Sequence, residues 1–274
     1  MRTMGAVQRW SGQAMDQSLT NLGIASELRI GLPHHCLHRV YLYGRPDAYE
    51  GESESLQIAA LMAESGVFLD VGAHLGYYSW YVAARAREAR VYAFEAAPLM
   101  AEYLAANLRR NPSWPIQLVH AAVSREAGIR DFHVDPAGGL RSSLLPGFAE
   151  GARAVSVPTL SLDQWTQQQG IDPRRVFAKI DVEGAELEVI EGAAALAGQC
   201  RGLLIEILRP YKDSGLIEAL CSRHGLDGYY VAGEELIAVD RFESYQAQQY
   251  NWLFLRRGDT AAVERLSSVF RWRR

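Results

Sequence analysis

From about residue 55, short apolar runs alternate with segments whose apolar residues recur at helical spacing. The runs "GVFLDV", "RVYAFEA", "IQLVHAAV", "RVFAKIDV" and "RGLLIEIL" read as strands buried on both faces. Between or beside them, "SLQIAALMAES", "YYSWYVAARAREA", "PLMAEYLAANLRRN", "AELEVIEGAAAL" and "SGLIEALCSRHG" read as helices, with Pro98 in a first turn. Strands joined through helices run parallel, and the helices cover both faces of their sheet. The expectation is a doubly wound α/β fold in three α/β/α layers. The alternation breaks near 128–160, where "IRDFHVDPAGG" and "ARAVSVPTLSL" predict a β and loop insertion. At the end, "DGYYVAGEELIAV" and "YNWLFLRR" predict antiparallel strands.

Composition narrows the function classes. The 274-residue chain is 49% hydrophobic and 22% charged, with net charge -4. It has no global basic field for nucleic acid and no apolar run of the roughly 20 residues that span a bilayer. The N-terminus lacks a long apolar core, so no signal peptide is expected. Cys36, Cys200 and Cys221 lie far apart and read as reduced thiols of a cytoplasmic protein. Residues 1–50 read as an extension, and the amphipathic residues 15–30 as a lid or the contact of a homodimer. His34, Cys36 and His38 are discounted as a metal site, because Pro33 precedes them and no third ligand is apparent. The basic tail "FRWRR" reads as a solvated terminus.

Chemistry concentrates where strands end. In "FLDVGAHLGYYSW", Asp70 closes a strand and Gly72 and Gly76 follow. Neither a dinucleotide fingerprint nor a P-loop fits these glycines. A carboxylate beside a helix N-terminus repels a pyrophosphate and favours a cation. S-adenosylmethionine has a sulfonium, an ammonium and no phosphate, and glycine would let backbone approach its aminoacyl group. Glu95 ends the next strand, 25 positions on, placed to accept hydrogen bonds from ribose hydroxyls.

The segments "FLDVGAHLGYYSWYVA", "VYAFEAAP", "LSLDQW" and "FAKIDVEGAELEVIEGA" resemble the FkbM-type family of S-adenosylmethionine-dependent methyltransferases. The resemblance covers about residues 50–208 and is most specific at "KIDVEGAE". It implies a class I methyltransferase fold: a Rossmann-like, seven-stranded sheet with an antiparallel last strand, in a domain spanning 51–274. It also implies methyl transfer, commonly to a hydroxyl of a sugar or secondary metabolite, with S-adenosylhomocysteine as product. The "LRSSL" stretch resembles a substrate-side loop of that family.

By the rule that open sheets bind ligands beyond the carboxyl ends of their strands, Asp70, Glu95 and Asp181 should share one crevice. Asp70, Gly72, Ala73 and Gly76 would surround the methionine end, with Tyr77 or Tyr78 touching cofactor or substrate. Glu95 and Ala96 would hold the ribose, and Ala121 and Ala122 would border the adenine. Asp181 is the first candidate base, His74 the second, and Glu183 the third candidate catalytic group. No metal is assigned. N-methylation, cyclisation of the cofactor's aminoacyl chain and a non-catalytic binding module are the competing readings, and Asp70 disfavours a nicotinamide dehydrogenase. The expected acceptor is a small molecule or glycan, with no nucleic-acid partner and no stable membrane insertion.

Overall fold

The computed structural model describes residues 52–136, 141–207, 215–239 and 251–273. The 15–30 segment and the His34, Cys36 and His38 group lie outside them. The described chain opens with α1 (Glu52–Ala63), β1 (Val67–Val71), α2 (Tyr77–Arg85), β2 (Arg90–Phe94), α3 (Pro98–Arg110) and β3 (Ile116–Val119). The insertion follows as β4 (Ala122–Val123), β5 (Gly128–Val134) and β6 (Arg153–Leu160), then α4 (Leu162–Gln168). The alternation resumes with β7 (Val176–Ile180), α5 (Glu186–Glu191), α6 (Ala194–Ala197), β8 (Gly202–Glu206) and α7 (Leu216–Glu218). The last elements are β9 (Leu226–Ala232), β10 (Glu235–Val239), β11 (Asn251–Arg256), α8 (Thr260–Ser267) and β12 (Arg271–Arg273).

The main sheet runs β12-β10-β9-β11-β8-β7-β1-β2-β3. β3, β2, β1, β7 and β8 are parallel, and β11 enters antiparallel between β8 and β9. This is the class I methyltransferase order. The chain leaves β1 toward β2 and β3, then returns to build β7 and β8 on the other side. Strand order therefore reverses between β1 and β7, and a crevice opens beyond their carboxyl ends.

Period-two alternation sorts the strand side chains. Val67, Leu69 and Val71 join one apolar layer with Val176, Ala178 and Ile180, while Phe68 and Phe177 join the other and stack at 6.5 Å. Asp70 and Lys179 share the parity of Phe68 and Phe177, and they are register partners. Both therefore point toward the layer that contains α2, which decides what they meet.

The structure corrects several boundaries. "IQLVHAAV" is not one strand: β3 stays in the main sheet and β4 pairs with β6 in a second sheet, ordered β4-β6-β5. A tight turn separates them, with the Ala121 amide donating to the Val119 carbonyl at 3.0 Å. "DGYYVAGEELIAV" is a hairpin of β9 and β10 that turns at Gly233, whose φ is 57°. "AELEVIEGAAAL" breaks into α5 and α6 beside Gly192, where a Cβ would meet the Ser124 carbonyl oxygen at 2.1 Å. The main sheet has nine strands rather than seven, because β10 and β12 extend its edge. The tail supplies β12: Phe270 is buried and Trp272 packs edge-on against Tyr229 at 4.9 Å, so aromatic packing places Arg271–Arg273 in the sheet instead of in solvent.

Candidate active site

The crevice at the switch point is lined by Gly72, His74, Phe94, Glu95, Ala96, Ala121, Ala122, Asp181 and Glu183. Val123, Phe132, Ser142, Leu144, Val182 and Ala185 complete its wall, so the second sheet and the connection between β5 and β6 contribute to the crevice. Asp70, Ala73, Gly76, Tyr77 and Tyr78 do not line it.

The turn after β1 is closed upon itself. The amides of Gly72 and Ala73 both donate to the Phe94 carbonyl, at 3.0 and 2.8 Å, and the Gly76 amide donates to Ala73. The His74 amide donates to Glu95 Oε2 at 2.6 Å. A phosphate-binding turn presents such amides to its ligand; here all four are already engaged by protein. The chemistry of the turn thus fits a cofactor without phosphate.

The glycines serve close packing within the protein. A Cβ on Gly72 would stand 1.7 Å from the Asp181 carbonyl oxygen, and φ is +82°. Gly72 lets the end of β7 pass directly against the turn after β1. Gly76 begins α2 with φ +79°, and a Cβ there would meet Leu104 Cδ1 at 2.9 Å. Both glycines admit close protein neighbours, and Gly72 also lines the crevice.

Asp70 faces α2. Its Oδ2 accepts from the Ser79 amide at 2.9 Å and from Ser79 Oγ at 2.6 Å. Burial pushes its carboxyl up to about 6, against the pull of Ser79 and Lys179. Glu95 lines the crevice and is fixed at both oxygens: Oε1 accepts from the Ala97 amide at 2.7 Å, and Oε2 from His74. Burial pushes Glu95 up to about 7. Each carboxylate oxygen has a second lone pair, so a vicinal diol can still donate to Glu95. Its fixed orientation and crevice position fit the ribose role.

The turn after β7 is more highly charged. Lys179 is 1% exposed, and its Nζ lies 3.2 Å from Asp181 Oδ2 and 3.9 Å from Glu206 Oε2. The ammonium also sits 5.2 Å from the centre of the Tyr78 ring. Asp181 thus presents a carboxylate oriented by a buried cation. Glu186 is buried, and its Oε1 accepts from the amides of Val182 and Gly184, so it closes the turn. Burial pushes it up to about 7. Glu183 lines the crevice from a left-handed backbone with φ 55°, and His74 does so with φ 52°. Non-glycine residues seldom occupy that region, and such strain gathers at functional sites.

Sequence reasoning gave Lys179 no role. Its signal was a charged residue inside an apolar strand, between Ala178 and Ile180. Ser142 and Leu144 belong to the "LRSSL" stretch, whose resemblance to a substrate-side loop was their signal, whereas Phe132 lies on β5, where no motif marks it. Among the described residues, no group of three or more His, Cys, Asp or Glu side chains is placed to hold a metal. None of the described helices is long and apolar enough to cross a membrane.

The family described as the methyltransferase FkbM domain matches residues 70–226, more than half of the chain. The methyltransferase sdnD of Sordaria araneosa is 27% identical over 221 residues, covering 70% of this chain and 81% of that protein. The hexuronic acid methyltransferase AglP of Haloferax volcanii is 28% identical over 160 residues, covering 57% of this chain and 62% of that protein. Among solved structures, a precorrin-6y C5,15-methyltransferase from Geobacter metallireducens superposes with a TM-score of 0.40 at 14% identity, covering 74% of this chain and 84% of that one. The protein is a methyltransferase that uses S-adenosylmethionine, and it belongs to the FkbM family.

Proposed function

We propose that the protein methylates a hydroxyl oxygen on a sugar or secondary metabolite, with Asp181 as the proton acceptor. The observation that carries this reading is the setting of Asp181, on the crevice wall with Oδ2 3.2 Å from a buried ammonium. A base held by a third group is the arrangement that activates a hydroxyl nucleophile. When bound, S-adenosylmethionine supplies a methyl group on a sulfonium, which needs no further activation. Glu95 and Ala96 hold the ribose in this reading, Ala121 and Ala122 border the adenine, and Gly72 borders the methionine end. Phe132 and Leu144 offer an apolar wall, and Ser142 a hydroxyl, to the acceptor. His74 is the second proton acceptor in the same crevice. The relative named for hexuronic acid methylation supports a sugar acceptor. We place the protein in the cytoplasm, where its thiols stay reduced; burial pushes Cys200 up to about 12 and leaves it inert.

The test is transfer of a labelled methyl group from S-adenosylmethionine to a panel of neutral hexosides, hexuronic acids and amines. Mass spectrometry then locates the methyl. A methyl on oxygen is expected. A methyl on nitrogen alone would move the reading to N-methylation, and no transfer to any hydroxylated acceptor would overturn it.

A further inference from the structure

Asp70, Glu95, Asp181, Glu183 and Glu186 are gathered at the carboxyl ends of the central strands, and four of them have close partners. Asp70 accepts twice from Ser79, and Glu95 accepts from two backbone amides. Asp181 is paired with Lys179, and Glu186 accepts from the amides of Val182 and Gly184. Glu183 differs: among the described residues, no hydrogen-bond donor reaches its carboxylate. It nevertheless stands on the crevice wall, held there by a left-handed backbone.

Four charged groups act on it. Asp181 from the end of β7 and Glu186 from the start of α5 oppose its ionisation. Lys179 from within β7 and Arg141 from the loop after β5 favour it. Lys179 is already engaged by Asp181, and the Arg141 guanidinium donates to the Phe148 carbonyl at 2.7 Å. A carboxyl crowded by two acids in a poorly solvated place keeps its proton until a cation arrives. Burial first, then Asp181 and Glu186, push Glu183 up to about 8.

We infer that Glu183 is the group whose charge follows that of the cofactor: it holds a proton in the free protein, releases it to solvent when a sulfonium-bearing ligand enters, and retains it when the neutral thioether product is bound. The charges balance over a turnover. Methyl transfer breaks the sulfur–carbon bond, forms the oxygen–carbon bond and frees the acceptor's hydroxyl proton. One positive charge leaves the sulfur as one proton appears, and Glu183 can be protonated again. The crevice then loses its ionic hold on the product. The inference requires only that the crevice bind the cofactor, and holds whatever the acceptor is.

Calorimetric titration of the full chain tests this without an acceptor. S-adenosylmethionine and S-adenosylhomocysteine are titrated separately into wild type and Glu183→Gln, between about pH 6.5 and about pH 8.5. In wild type, the affinity ratio of the sulfonium over the thioether should rise by about tenfold across that range. In Glu183→Gln, only the ligands' own titration should remain, so the rise should be much shallower. In wild type near neutral pH, buffers of different ionisation enthalpy should reveal more proton release with the sulfonium than with the thioether. Equal rises in the two proteins, or equal proton counts for the two ligands, would overturn the inference. Failure of both ligands to bind would overturn the cofactor assignment itself, which a flat ratio would not.

Discussion

The turns after β1 and after β7 face each other across the switch point, and both carry acids and glycines. After β1, Ser79 binds Asp70, Phe94 and Glu95 take the amides, and Gly72 lies against the Asp181 carbonyl. After β7, Asp181 rests on a buried ammonium, and Glu183 has charged neighbours without a hydrogen-bond donor among the described residues. On one side protein donors hold Asp70 and Glu95; on the other Glu183 has no such donor among the described residues. The contrast teaches that an acid in a glycine-rich turn is not by itself a ligand group. An acid bound by protein donors holds backbone in place, whereas one without them retains capacity for a ligand or a proton.

The sharpest way to break this contrast is to disturb the point where the turns touch. Gly72→Ala places a methyl group against the Asp181 backbone and forces a side chain onto φ +82°. We expect a loss of about 4 kcal/mol or more, or failure to fold, read by chemical denaturation. A stable Gly72→Ala variant would show that the turns do not lock together. Next comes Asp181→Asn, expected to lower turnover by ~100-fold or more while S-adenosylhomocysteine affinity changes little. Full turnover in that variant would remove Asp181 as the base.

Glu95→Ala and Ser79→Ala separate binding from scaffolding on the β1 side. Glu95→Ala should weaken S-adenosylhomocysteine binding by about 10- to 100-fold, the loss of charge-assisted hydrogen bonds to a diol. Ser79→Ala should cost about 1–3 kcal/mol of stability, because it removes a donor from a buried carboxylate. It should leave cofactor affinity nearly unchanged. If Ser79→Ala instead acted mainly on affinity, Asp70 would belong with the ligand groups.

The smallest effect is one of pH. Asp70 is raised to about 6, Glu95 and Glu186 to about 7, and Glu183 to about 8. Each lies above the ordinary carboxylate range, so the folded state binds these protons more tightly than the unfolded state. Their contribution to stability is complete below about pH 4 and is lost as pH rises through about 6 to 8. The unfolding midpoint of the ligand-free protein should fall between about pH 5 and about pH 8.5, and saturating S-adenosylmethionine should reduce that fall. A midpoint rising with pH would contradict the shared direction of these shifts.

The parallel core and the acids at its strand ends were legible because they rest on local signals: period, strand length and the residue at a run's end. Contacts between distant segments were not. Nothing near Gly72 announces that Asp181 will press on it, and nothing near Asp70 says that Ser79 will donate to its Oδ2. Lys179 was visible as an oddity in an apolar run, but its meaning depends on register with Asp70 and on the ring of Tyr78. The tail misled because Arg271 and Arg273 are exposed while Phe270 is buried and Trp272 packs on Tyr229.

A crystal structure with S-adenosylhomocysteine tests the central claim most directly. The account predicts the ribose hydroxyls on Glu95 and the sulfur directed to the turn of Asp181 and Glu183, with the bond between Asp70 and Ser79 intact. Ribose hydroxyls held elsewhere, or an Asp70 carboxylate that leaves Ser79 to bind the ligand, would contradict it.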